Sequence, residues 1–243
     1  MKKLYLLLAL PLAACVTDEK LATTLTTLNN AVLGQTQSPL SELEISNGLK
    51  EALKIGSDRA ISTLSRYDGF WQDQLVQVAL PPAYHRIDST LSALGMGHVM
   101  DDIHLKINRA AEEASSKAKP IFLNAIQGLT IQDATTILNG GNSAATDLLQ
   151  SRTQQKLNNA FAPVVQNALR QVGAIQQIEA TKTQLNQIPF ASYLVPQLNQ
   201  NIDDYVVEQT LNGLFAKLAK EEQAIRQNPA KRTTELLRRV FTK

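Results

Sequence analysis

The sequence offers few side chains with reactive chemistry. It has a single cysteine, Cys15, so no intramolecular disulfide can form and its neighbours must explain it. The histidines are His85, His98 and His104. His98 and Asp102 stand four apart, a spacing that puts two ligands on one helix face, with His104 farther round. No second histidine or cysteine completes a set, so scattered surface residues are the favoured reading and no metal is assigned. Acid pairs occur at Asp101-Asp102, Glu112-Glu113, Asp203-Asp204 and Glu221-Glu222. Acid–base catalysis needs two carboxyls held across a cleft. Adjacent helical residues point about 100° apart, so these pairs read as solvated faces. Glu222 and Arg226, an i,i+4 pair, read as a few tenths of a kcal/mol of helix support. There is no G-x-S-x-G, H-E-x-x-H, phosphate-loop or calcium-loop motif. Gly140-Gly141-Asn142-Ser143 at a helix start could hold an anion on free N–H groups, although a turn and N-cap is the plainer reading. No catalytic residue and no cofactor is assigned.

Cys15 has a context of its own. Met1-Lys2-Lys3 is a positive n-region, Leu4 to Leu10 is a short apolar run, and Pro11 ends it. That is the layout of an export signal. The run is shorter than the ~20 residues a spanning helix needs, and Thr17-Asp18-Glu19-Lys20 follows at once. Ordinary signal cleavage after Ala14 would place bulky Leu12 at −3, where a small residue is needed. Leu12-Ala13-Ala14-Cys15 instead resembles a lipobox. The resemblance implies cleavage between Ala14 and Cys15 and acylation of Cys15, so a covalent lipid rather than a cofactor. Each buried CH₂ contributes about 0.8 kcal/mol to such an anchor. Val16 is not an inner-membrane retention residue in Gram-negative sorting signals, which points to an outer-membrane lipoprotein facing the periplasm.

Of the 243 residues, 44% are apolar and 5% aromatic, a balance that favours helices over a β-sandwich. Loss of Lys2 and Lys3 with the signal takes the 24 basic residues to 22, equal to the 22 acidic ones. A balanced mature chain has no bulk attraction for nucleic acid. The charge is nevertheless uneven. From Arg226 to Lys243 six basic residues face one acid, Glu235. Lys231, Arg232, Arg238 and Arg239 flank Leu236, Leu237, Val240 and Phe241. A basic amphipathic helix can lie on an anionic membrane. The same apolar face can instead dock on the long helix before it, and docking is the favoured reading.

Apolar spacing gives the elements. The expected fold is all-α, a multi-helix bundle with one short extended segment, preceded by the lipoprotein signal. Residues 1–14 are the signal, 15–37 the acylated N-terminus and tether, and 38–243 the helical domain. Leu21, Leu25, Leu28 and Val32 keep helical spacing inside the tether, leaving weak helix and flexible tether both open. Ser38-Pro39 resembles a helix start. Ile45, Leu49, Ala52, Leu53, Ala60, Ile61 and Leu64 line one face of a helix to about Arg66. Gly48 and Gly56 interrupt it, where a neighbour could approach closely. Leu75 to Leu80 is strand-like and stops at Pro81-Pro82; it could be an extended segment packed over the helices rather than part of a sheet. Helices follow over Ala83–Leu94, Met100–Ala118 (ended near Pro120), Ile121–Gln127 and from a Thr130/Asp133 capping box to Leu138. Another runs from Asn142 or Ser143 to about Ala160, with Pro163 kinking or restarting it. Ala174–Gln187 and Asp203–Gln227 come next, the latter with a seam of Val207, Leu211, Leu214, Leu218 and Ile225 widened by Phe215.

Gly48 to Leu53, Asn108-Arg109-Ala110-Ala111-Glu112, Asp133-Ala134 through Ile137-Leu138 with Gly140, Ala145-Thr146, Asp204-Tyr205-Val206, Leu211 to Arg226 ending at Pro229, Leu236-Leu237 and Val240-Phe241 together resemble one family. It is the bacterial envelope domain-of-unknown-function family numbered 4197. The resemblance runs from about Leu40 to Phe241 and departs at Trp71 to Gln77. It implies an all-helical envelope domain and supplies no activity. The leading expectation is a non-enzymatic binding or structural protein, membrane-held by its lipid, whose partner is an envelope protein or an apolar ligand. The alternative is an envelope hydrolase in which Arg109, Glu112 and Asp133 converge between helices.

Overall fold

Helix α1, Glu42–Leu64, begins at a reciprocal cap. The Glu44 backbone N–H donates to Ser41 Oγ, and the Ser41 backbone N–H donates back to the Glu44 carboxylate. Ser38 and Pro39 lie outside the described residues. The computed structural model describes residues 40–199 and 201–241. Helices α2 to α5 are His85–Ala93, His98–Ser115, Ala118–Gln127 and Ile131–Asn139. Helices α6 to α9 are Ala144–Gln171, Ala174–Gln187, Ile202–Gln227 and Glu235–Phe241. Short 3-10 segments cover Pro82–Tyr84, Ser192–Asn199 and Pro229–Lys231. The described residues are all-α and contain no strand. None of their helices is long and apolar enough to cross a membrane.

The helices α1, α3, α6 and α8 pack against one another, with α4, α5, α7 and α9 around them. The anticipated face of α1 is buried from Leu49 to Leu64, with Ile45 partly covered. The seam of α8 is buried as expected, including Phe215, which meets Phe122 of α4 edge-on at 5.9 Å. Two prolines sit inside helices: Pro163 does not restart one, and Pro120 does not end one. Pro163 lies inside a continuous α6. Pro120 sits third in α4, where its missing N–H would have had no intrahelical partner. The strand-like stretch is not a strand. Val76 and Val78 are buried over the bundle, while Ala79 is exposed.

Two glycines let the chain close on itself. A Cβ at Gly48 would stand 2.6 Å from Val240 Cγ2, so α9 rests directly on the backbone of α1. A Cβ at Gly213 would stand 2.9 Å from Phe70 Cε1 and 3.2 Å from Val76 Cβ. That close approach lets residues 67–80, a strap without regular structure for most of its length, lie against α8.

Candidate functional site

Two buried carboxylates organise the polar interior. Glu112, on α3, is 5% exposed. Its Oε1 accepts the N–H groups of Phe70 (3.1 Å) and Trp71 (3.3 Å) from the strap. Arg109, one turn earlier on the same helix, donates to Glu112 Oε2 at 2.8 Å and to Asp68 Oδ1 at 2.6 Å. The Tyr67 ring stacks on the guanidinium, 3.6 Å from centroid to Cζ. Burial alone would lower the Arg109 pKa. Its bonds to Glu112 and Asp68 outweigh that and hold it above its ordinary value.

Asn108, next to Arg109 and fully buried, holds the strap farther along. Its Oδ1 accepts the Val78 N–H and its Nδ2 donates to the Val78 carbonyl, both at 2.9 Å. One side-chain amide thus replaces the two ladder bonds that Val78 would have made in a sheet. Trp71 meets His104 edge-on at 5.0 Å, and Gln77 Nε2 donates to the Trp71 carbonyl at 2.6 Å. Burial lowers the His104 pKa, against the raising effects of a Val78 backbone bond and the charges of Asp101 and Asp88. Lys217 of α8 pairs with Asp73 at 2.6 Å.

The second carboxylate, Glu222 on α8, is 8% exposed. It accepts the N–H of Ala145 (3.1 Å) and both the N–H and hydroxyl of Thr146 (2.8 Å each). These amides are at the start of α6, where the sequence favours a turn and N-cap; the acceptor there is the protein's own Glu222 carboxylate. Ser143 caps the helix in position only, its hydroxyl bonding Asp147 at 3.1 Å. Arg226 donates through Nε to Glu222 at 2.9 Å and through Nη2 to the Ile137 carbonyl of α5 at 2.8 Å. A cavity of ≈ 20 Å³ adjoins the pair, bounded by Leu49, Leu53, Ile225 and Phe241. That volume suits about one water molecule. The solvated-face reading of Glu112 and Glu222 is therefore overturned. In the two glutamate doublets, Glu112-Glu113 and Glu221-Glu222, one member is buried, because a helix sends neighbours to different faces.

Arg226, Arg232, Arg238 and Arg239 of the basic C-terminal segment are used within the fold. Leu237 and Val240 are buried, so the apolar face of α9 docks on the bundle. Arg232 donates to the carbonyls of Ile225 (3.1 Å) and Arg226 (2.8 Å) at the end of α8. Arg238 donates to the Arg232 carbonyl at 3.3 Å, and Arg239 pairs with Glu44 at 3.0 Å. Lys231 is exposed. Arg109 and Glu112 meet, but Asp133 has other partners. It completes the cap at Thr130 and pairs with Arg152 at 2.6 Å. Its carboxyl is held below the usual range, first by the Thr130 backbone bond. The three residues therefore do not assemble as the hydrolase reading requires. Asp102 pairs with Lys106 at 2.6 Å. Among the described residues no cluster of three or more His, Cys, Asp or Glu side chains is placed to hold a metal ion. Leu12, Ala13, Ala14 and Cys15 lie outside the described residues.

Comparison with known proteins adds one relationship. A family model described as "Protein of unknown function (DUF4197)" matches residues 39–242. No curated protein and no solved structure matches the chain.

Proposed function

The chain belongs to the DUF4197 family, and from that premise we propose that it is a membrane-anchored envelope lipoprotein whose helical domain binds or braces rather than catalyses. The observation that supports this reading is the use made of the buried charges. Glu112 holds two strap amides and Glu222 holds two helix amides, each with an arginine in place. A general acid or base needs a carboxyl free to exchange a proton with a substrate. Both buried carboxylates instead direct their oxygens at the protein's own donors.

Leu12-Ala13-Ala14-Cys15 supports the anchor, and Val16 after the cysteine supports the outer membrane, with the domain facing the periplasm. Its partner is an envelope protein or an apolar ligand. Fatty-acid labelling of the full chain tests the anchor: label and membrane retention are expected, and Cys15→Ser removes both. Labelling that survives Cys15→Ser would sink the localisation. Crosslinking in the intact envelope, with lipid mass spectrometry of the purified protein, tests the binding role. Neither a crosslinked partner nor a co-purifying lipid would count against it.

A further inference from the structure

The turn after α7 carries an unusual side chain. Pro189 requires an extended residue before it, and Ile188 (ψ 119°) ends the helix. Phe190 follows at φ +65°, a left-handed conformation that a bulky residue rarely adopts, and its side chain is 93% exposed. Tyr193, one 3-10 turn on, is 64% exposed. The turn is held firmly from behind. Ala191 and Leu194 are buried, and their N–H groups donate to the carbonyls of Ile188 and Ala191 at 3.1 and 3.0 Å. A fixed base therefore presents a large aromatic outward at a conformational cost.

The sequence around this tip is free of charge. From residue 183 to 202 there is no Asp, Glu, Lys or Arg, the longest such run in residues 40–241. Charged groups are what make close approach to hydrocarbon expensive. Two exposed aromatics on a turn are too little for a protein interface, which takes about 800 Å² from each partner. They suit a bilayer interface, where tyrosine stations itself at the headgroups and an apolar ring reaches below.

We propose that Phe190 and Tyr193 form a membrane-dipping tip by which the domain rests on the lipid surface. The proposal draws on the anchored reading only for the nearness of that surface. The 25 residue-to-residue steps from Cys15 to Leu40 reach at most about 80–90 Å when extended, too long to choose a face. The tip makes that choice.

The test uses the full chain with unacylated Cys15, whose only thiol is coupled to a maleimide lipid in phosphatidylcholine vesicles. Acylation is thus not required, and failure of the tip is separable from failure of the anchor. Phe190→Trp is compared with Ile131→Trp, a 43% exposed apolar position on α5, for quenching by brominated phosphatidylcholine. The expected result is at least about twofold stronger quenching at position 190, unchanged by salt because the tip carries no charge. Equal quenching at both positions, or quenching that disappears in high salt, overturns the proposal. So does the absence of quenching at position 190.

Discussion

The Arg109–Glu112 and Arg226–Glu222 pairs use the same two residue types on the same kind of helix, yet they hold different things. Glu112 and Arg109 serve one loop: every strap bond they make lies between Asp68 and Trp71. Glu222 and Arg226 span a junction between helices. The carboxylate sits on the amides that start α6, and the guanidinium sits on a carbonyl near the end of α5. Those are opposite poles of two helix dipoles, and each receives the charge that complements it. The loop bracket fixes an irregular segment that has no ladder of its own. The junction bracket fixes the Gly140–Ser143 turn and the helices around it.

The difference decides which change costs more. Glu222→Gln leaves the Arg226 guanidinium, 12% exposed, with one carbonyl and the Phe241 ring at 5.8 Å. Removing one partner of a buried pair costs about 3–5 kcal/mol. Chemical denaturation of Glu222→Gln should show a loss in that range. A loss below about 1 kcal/mol, the exposed-pair value, would mean the junction is solvated and the comparison fails.

Glu112→Gln should cost less, about 1–3 kcal/mol, because Arg109 keeps Asp68 at 2.6 Å and the Tyr67 ring. Its signature is local. Trp71 is the only tryptophan and donates its N–H to Glu112, so its emission reports the strap. Emission should shift to the red in folded Glu112→Gln and stay put in folded Glu222→Gln. A shift in both would show that the two brackets act as one unit.

Asn108→Leu sharpens the loop half. It strands the Val78 N–H and carbonyl under cover, at about 1–3 kcal/mol. Hydrogen exchange at Val78 should accelerate while exchange at Ala145 and Thr146 is unchanged. Equal acceleration at all three would contradict separate regions.

Much of the fold was legible because apolar spacing is a strong signal in long helices. The faces of α1 and α8, the Thr130 cap and the boundaries of α7 follow from it. The cap at Ser41 and Glu44 was present as S-x-x-E but lay behind the Ser38-Pro39 signal. The brackets were not legible. Glu222 and Arg226 have the spacing of an ordinary surface pair, and only tertiary packing reveals that 76 residues away two amides need an acceptor. No sequence signal marked that need: Ser143 stands where an N-cap residue belongs, and only the fold shows that its hydroxyl leaves the first amides of the 28-residue helix to Glu222. Asn108 was hidden for a similar reason. Its partner is a strap whose alternation resembles a strand, and sheet pairing cannot be told from an amide clasp by sequence alone.

The smallest effect separates the regions by pH. His104 sits beside Trp71 on the strap side, and its pKa in the folded protein lies below the ordinary 6.5. As pH falls below about 6.5 the unfolded chain takes up this proton first, so stability declines until the folded pKa is reached and then levels off. His104→Gln should remove that slope, a loss on the order of 1 kcal/mol or less for a half-buried ring. A further decline comes only at more acidic pH. Burial pushes the Asp73 pKa up, but Lys217, the Leu75 amide and Lys220 together outweigh it and hold it below 3.8, so its contribution is lost as pH falls through that lower value. Asp73 belongs to the strap and His104 packs against it. Mild acid should therefore alter Trp71 emission before it disturbs exchange at Ala145 and Thr146; the reverse order would place the acid-sensitive element at the helix junction.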